Sequence, residues 1–194
     1  MNVQLTEKIE IIFKSTLELI CEKGFHGTPM SQIAKQSDVA IGTIYHYFPS
    51  KDNLIIELFC YCKQKINNYI FSDWDSTLSY KSRFFIVMRK FCAFYLENTD
   101  MFSFMEQFHN SPYLEISRNS WEKNLNEENN IMAFLYEGMR IAELRNINIY
   151  ILTSSCIGIA TSFAKKVIYG PLEFTDENLN EMIEIIWNGV KQQN

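Results

Sequence analysis

Residues 24–54 read GFHGTPMSQIAKQSDVAIGTIYHYFPSKDNL, and this stretch holds three of the chain's seven glycines and two of its four prolines. Upstream, Ile9, Ile12, Phe13, Thr16, Leu17, Ile20 and Cys21 recur at three- and four-residue steps, which predicts a helix from about Thr6 to Lys23 with Gly24 as its stop. Thr28-Pro29 then predicts a second helix, with threonine as N-cap and proline at the first helical position, where its missing N–H costs nothing. Met30, Ile33 and Ala34 form its inner face. A break at Ser37-Asp38 leads to a third helix over about 40–46, ended by Phe48 and Pro49. Ser50 caps a fourth, which begins Lys51-Asp52-Asn53-Leu54 and runs to about Ile70, with Asp52 near the positive end of the helix dipole. Two short helices separated by three or four residues, with a preceding helix packed across both, make a helix-turn-helix. In that arrangement Ile33, Ala34, Val39, Ile44 and Phe48 face Phe13 and Leu17, and Thr43, Tyr45, His46 and Tyr47 point outward. The same spacing also fits an ordinary corner of a helical bundle.

Beyond Pro49 no proline or glycine occurs until Pro112, so long helices follow the short ones. Apolar periodicity predicts helices over about 77–97, 100–110, 113–124, 127–144, 148–168 and 175–190, and no stretch alternates as a strand does for more than a few residues. The expected class is all-α: a three-helix head over residues 1–49 and a body of roughly six helices over 50–194. With 194 residues, 47% hydrophobic and 21% charged, the chain is long and apolar enough to bury a core without disulfides or metals. Residues 1–51 carry five lysines and five acids, so the net charge of −5 resides in the body. That balance excludes a generally basic nucleic-acid coat but not a small DNA-reading element.

Several function classes find no support. Charges at Glu7, Lys8, Glu10 and Lys14 break up any apolar leader, and five cysteines without repeated spacing make a poor extracellular framework, so the chain is expected in the cytoplasm. Residues 146–164 carry no charge, but seven polar side chains among them favour a buried or subunit-facing helix over a membrane span. No two of His26, His46 and His109 lie close in sequence and Cys60 and Cys62 point in different directions, so neither a metal nor another cofactor is expected. His109, Glu106 and Ser111 can be drawn as a hydrolytic group, yet a lone histidine near a Ser-Pro turn is more often structural. No enzyme is expected.

The run Gly24-Phe25, Thr28, Ile33-Ala34, Val39, Gly42-Thr43-Ile44-Tyr45-His46-Tyr47-Phe48 and Ser50-Lys51-Asp52-Asn53-Leu54 resembles the N-terminal domain of TetR-family transcriptional regulators. The resemblance is specific from Ile9 to Phe59 and architectural beyond. It implies a homodimer formed by the last two helices, a palindromic double-stranded DNA operator, and a body pocket whose small-molecule ligand releases DNA. It implies that Thr28 caps the second helix and touches a phosphate, and that Gly42 lets the recognition helix come close to the DNA backbone. Thr43 and His46 then reach base edges, while Tyr45 and Lys51 contact phosphates. Phosphate contacts set register and a few groove-facing side chains read sequence.

Three departures stand out. Asp38 replaces the usual turn glycine, tolerating a left-handed backbone but adding a negative charge near DNA. Ala40 replaces the serine that caps the recognition helix. Ile41 replaces a residue that is commonly polar or basic, and is either a contact for a thymine methyl group or an exposed residue without a role. These changes leave open an alternative, a helical dimeric interaction protein with weakened DNA binding. For the body, 23 of the 28 aromatic residues follow residue 50, and Phe84, Phe85, Met88, Phe104, Phe108 and Phe163 are the expected wall of a site for a small hydrophobic or aromatic effector. The expected function is therefore that of an effector-released repressor.

Overall fold

The computed structural model describes residues 3–121 and 131–193, and all ten named elements among them are α-helices. They fall into two compact units, residues 1–63 with 100–125 and residues 64–99 with 126–194. This division runs through the fourth helix and gathers residues 100–125 with the head, so it does not coincide with the boundary at residue 50 that glycine and proline content suggests.

In the first unit, α1 (Val3–Lys23) starts three residues before the expected Thr6. It ends where Gly24 turns to φ +68° and donates its N–H to the Ile20 carbonyl at 2.8 Å. Then follow α2 (Met30–Ser37), α3 (Ile41–Tyr47) and the start of α4 (Lys51–Ile70). Ser50 caps α4 as expected, its Oγ accepting from Asn53 N–H at 3.1 Å. Also in this unit are α6 (Thr99–His109) and α7 (Tyr113–Trp121). Phe59 stacks on Phe108 at 4.0 Å between centroids, and Phe25 meets Phe104 at 6.0 Å and Tyr113 at 5.0 Å. The fully buried rings among these, Phe59, Phe104 and Phe108, each contribute about 1.5–3 kcal/mol of transfer free energy.

The second unit contains α5 (Tyr80–Glu97), α8 (Ile131–Arg140), α9 (Ile149–Tyr169) and α10 (Asp176–Val190). α5 begins later than the periodicity suggests because polar side chains claim the preceding backbone. Asp75 accepts from the N–H and hydroxyl of Thr77, and Ser79 accepts from Ser82 N–H as N-cap. α8 ends earlier than the expected residue 144, because Ala142 turns to φ 58° and the N–H groups of Glu143 and Leu144 both donate to the Gly138 carbonyl. The expected first turn of this helix, 127–130, lies outside the described residues. α9 packs along α5, α8 and α10, burying Leu152, Cys156, Ala160, Phe163 and Ala164. It is long and apolar enough to cross a membrane, but here it is the central helix of its unit. Only 28% of its most apolar stretch is buried within the chain. Its other face is exposed, with Ile151 and Ile159 on it.

Candidate nucleic-acid interface

The turn between α2 and α3 is closed by backbone alone. Asp38 takes the left-handed conformation at φ 52°, as its short polar side chain permits, and Val39 N–H donates to the Ala34 carbonyl at 3.2 Å. Ser37 is buried and its hydroxyl donates to Ile33 O at 2.7 Å. Ala40 is the N-cap of α3 and offers no side-chain hydrogen bond, so the first turn is held only by Thr43 N–H and Ile44 N–H donating to its carbonyl. Ile33, Ile44 and Phe48 are buried with Phe13 and Leu17, and the Phe13 and Phe48 rings lie 5.5 Å apart. That core fixes which side of α3 faces out. Ile41 is 43% exposed and Tyr45 46%; Ala40, Gly42 and His46 are exposed and Thr43 is half-buried. A Cβ built on Gly42 meets nothing within 4 Å, so no neighbour within the chain requires a glycine there.

Two expected contacts are placed differently. Thr28 is not the cap of α2: Pro29 occupies the N-cap, and its carbonyl accepts from Gln32 and Ile33. The Thr28 side chain is fully buried and its hydroxyl donates to Gly24 O at 2.9 Å, closing the end of α1. A threonine ahead of a proline satisfies either role in sequence; the positive φ of Gly24, which turns its carbonyl toward Thr28, selects this one. Lys51 is half-buried and its ammonium donates to the Phe25 carbonyl. Burial lowers its pKa, with the Asp52 carboxylate opposing. It ties the start of α4 to the turn after α1.

Sequence reasoning missed Ser31 and Lys35. They share a face of α2, four residues apart, and with Ala34, Asp38, Val39, Ala40 and Ile41 they line a shallow concavity of about 470 Å³. The signal was present, since both lie opposite the inner face of Met30 and Ile33.

The expected effector wall is divided between the two units. In the second, Phe84 and Met88 are fully buried and Phe163 nearly so, with the Phe84 ring 5.2 Å from Trp187 and 6.4 Å from Phe134. Phe85 is half-buried beneath the Lys81 ammonium, 5.2 Å from its centroid. In the first unit Phe104 and Phe108 are fully buried, their rings 5.9 Å apart. His109 lies with Nδ1 2.7 Å from Met105 O, and Ser111 donates to Phe108 O, so both are occupied by backbone rather than by one another. Among the described residues no group of three or more His, Cys, Asp or Glu side chains is placed to hold a metal.

Comparison with known proteins bears on both halves of the chain. The family described as bacterial regulatory proteins, tetR family, matches residues 12–58, and the tetracyclin repressor-like C-terminal domain matches residues 79–191. The fatty acid metabolism regulator protein of Bacillus subtilis is 44% identical over 59 residues, 30% of this chain and 29% of that relative. The match thus spans less than a third of either protein. An HTH-type transcriptional regulator of Haemophilus influenzae is 24% identical over 193 residues, 99% of this chain and 100% of the other. The crystal structure of the regulator FadR from Bacillus subtilis, in complex with stearoyl-CoA, superposes with a TM-score of 0.76 at 22% identity, covering 93% of this chain and 98% of that one. At that identity the likeness is one of fold.

Proposed function

The chain belongs to the TetR family of bacterial regulatory proteins, and on that premise we propose that it is a cytoplasmic, homodimeric repressor released from a palindromic operator by a small hydrophobic effector. The single observation that carries the DNA half is the outward face of α3, where Ile41, Gly42, Thr43, Tyr45 and His46 present a mixed polar and apolar surface on a rigid core. Residues 1–49 would supply this reading head, and residues 50–194 the dimer contact and the effector site.

The dimer reading is supported by the face of α9 opposite its buried stripe. Ile151, Ser155, Gly158, Ile159 and Ser162 recur along it at three- and four-residue steps, and Ile151 is 60% exposed. On α10, Ile185 is 65% exposed and Gly189 has nothing within 4 Å of a Cβ position. Isoleucines alternating with small residues allow two helices to approach closely and bury apolar area together.

The effector reading is supported by the apolar side chains Phe84, Phe85, Met88 and Phe163 of the second unit, which would offer soft contacts to a ligand that enters among them. By analogy with the fatty acid regulator that matches 59 residues and with the fold neighbour that holds stearoyl-CoA, acyl chains are the effector class to test first. Effector binding would lower operator affinity through a coupling free energy of about 1–3 kcal/mol, a 5- to 150-fold change.

One experiment covers the whole proposal. The full-length protein selects duplexes from a random pool, and the enriched duplex is then titrated with a series of fatty acids and acyl-CoA thioesters while binding is followed by fluorescence anisotropy. Enrichment of an inverted repeat and release by one chain-length range is the expected result. Enrichment without release by any compound removes the effector. No enrichment leaves the interaction-protein alternative, which Asp38 and Ala40 favour.

A further inference from the structure

Hydrogen bonding and phosphate contact leave one feature of α3 unused. Ile41 opens the helix with 43% of its surface exposed. On one side Gly42 has no side chain and open space around it. On the other Ala40 is exposed and makes no cap hydrogen bond. Ile41 is therefore an apolar projection flanked by the two smallest residue types, and its methyl groups are reachable from either side. Tyr45 stands one turn on, over the same face of the helix.

A lone exposed isoleucine on a protein surface ordinarily needs no explanation. Ile151 and Ile185 are also exposed, but they lie on the α9 and α10 faces proposed above to meet a second copy of the chain. Ile41 instead shares a shallow concavity of mixed polarity with Ser31, Ala34, Lys35, Asp38, Val39 and Ala40, at the turn and the start of α3. It sits on the first turn of the helix that reads DNA, where the available partners are base edges and phosphates. A phosphate gains nothing from an isoleucine, and the exposed Asp38 carboxylate beside it repels one. Among base edges in the major groove, the apolar group is the C5 methyl of thymine.

We infer that Ile41 reads sequence by packing on the C5 methyl of a thymine, one in each operator half-site. The preference is for thymine over every other base of unmodified DNA, because no other carries that methyl. This rests on the operator binding proposed above.

The test starts from duplexes enriched by the full-length protein. Replacing thymines one at a time by deoxyuridine removes the methyl and leaves every hydrogen-bonding group in place. Burial of one such group is worth about a fourfold change in affinity, so one position per half-site should show it, and changing both half-sites together should weaken binding about sixteenfold. In Ile41→Ala the difference between thymine and uracil at that position should vanish. Ile41 lies outside the core, so this variant should keep the wild-type circular dichroism spectrum and melting temperature. Thr43→Ser removes a methyl group elsewhere on α3 and should leave the difference intact. If the wild-type protein binds its selected duplex and no thymine is sensitive, the inference is overturned while operator binding stands. A methyl dependence that survives Ile41→Ala also overturns it. If no duplex is enriched at all, operator binding fails and the inference fails with it.

Discussion

Gly42→Ala separates what the fold wants from what DNA wants. Glycine within a helix costs roughly 0.5–1 kcal/mol relative to alanine, because its unfolded chain has more freedom to lose. Gly42 is the second residue of a seven-residue helix, where the penalty falls at the low end, about 0.5 kcal/mol. Since a Cβ there meets nothing within 4 Å, no steric cost offsets the gain. The variant should therefore melt about 1–2 °C higher, by circular dichroism at 222 nm. DNA binding should move the other way. If the glycine is kept so that backbone or base edges can approach the helix closely, one methyl at that contact should weaken binding about tenfold, or ~1.4 kcal/mol, by anisotropy on the enriched duplex. Higher stability with unchanged affinity would refute the close approach at Gly42. Lower stability would mean that the space beside Gly42 is not open and that the glycine serves the fold.

Two further outcomes concern the second unit. A Cβ on Gly138 would stand 2.3 Å from the Tyr80 hydroxyl and 2.8 Å from Leu144 Cδ1, while Tyr80 donates to Phe134 O at 3.0 Å and stacks on the Phe134 ring. Gly138→Ala should thus destabilise by about 2–4 kcal/mol, combining overpacking with a displaced hydrogen bond, and an unchanged urea midpoint would show that the site can yield. Burial pushes the Cys92 and Cys156 thiols from 9.0 up to about 12. A folded-state value above the unfolded one gives stability that is complete below pH 9 and is lost as pH rises toward 12. By pH 10.5 each thiol should have cost about 2 kcal/mol, so the urea midpoint of the Cys92→Ala/Cys156→Ala variant should decline less steeply than that of the wild type, the remaining decline coming from Cys62 and Tyr80, which burial raises as well.

The head was legible because its punctuation is local. Gly24, Asp38, Ser50 and the Phe48-Pro49 pair each act within a few residues of chain, and the structure uses them where the sequence puts them. The N-cap placed at Thr28, and the ties that Thr28 and Lys51 make within the chain, were not legible for the opposite reason. Each residue spends its polar group on a carbonyl, Gly24 O or Phe25 O, whose direction depends on how the turn after α1 is folded. In the body, periodicity located the helices, but their ends were set by side chains of opposite habit, the caps at Asp75 and Ser79 and the left-handed Ala142. Aromatic content pointed to a common wall for Phe84 and Phe104, and the structure assigns them to different compact units. Helical periodicity says which face is apolar but not which partner covers it.

The electrostatic character of the head has a consequence for how such a repressor would be controlled. Five lysines oppose five acids up to residue 51, the Lys51 ammonium is engaged by Phe25, and the Thr28 hydroxyl is turned inward. Affinity that does not depend on sequence comes from neutralising phosphates, so this head has little of it to offer. Operator binding would then rest on groove contacts and on two heads acting together, each raising the effective concentration of the other. A protein held to DNA mainly by charge would slide to neighbouring sequence when its heads are displaced. This one has little to fall back on, so an effector that alters the proposed dimer even slightly forfeits most of the binding. The departures at Asp38 and Ala40, which lower the affinity of a DNA-binding head, would then make a weakly coupled effector sufficient to release it.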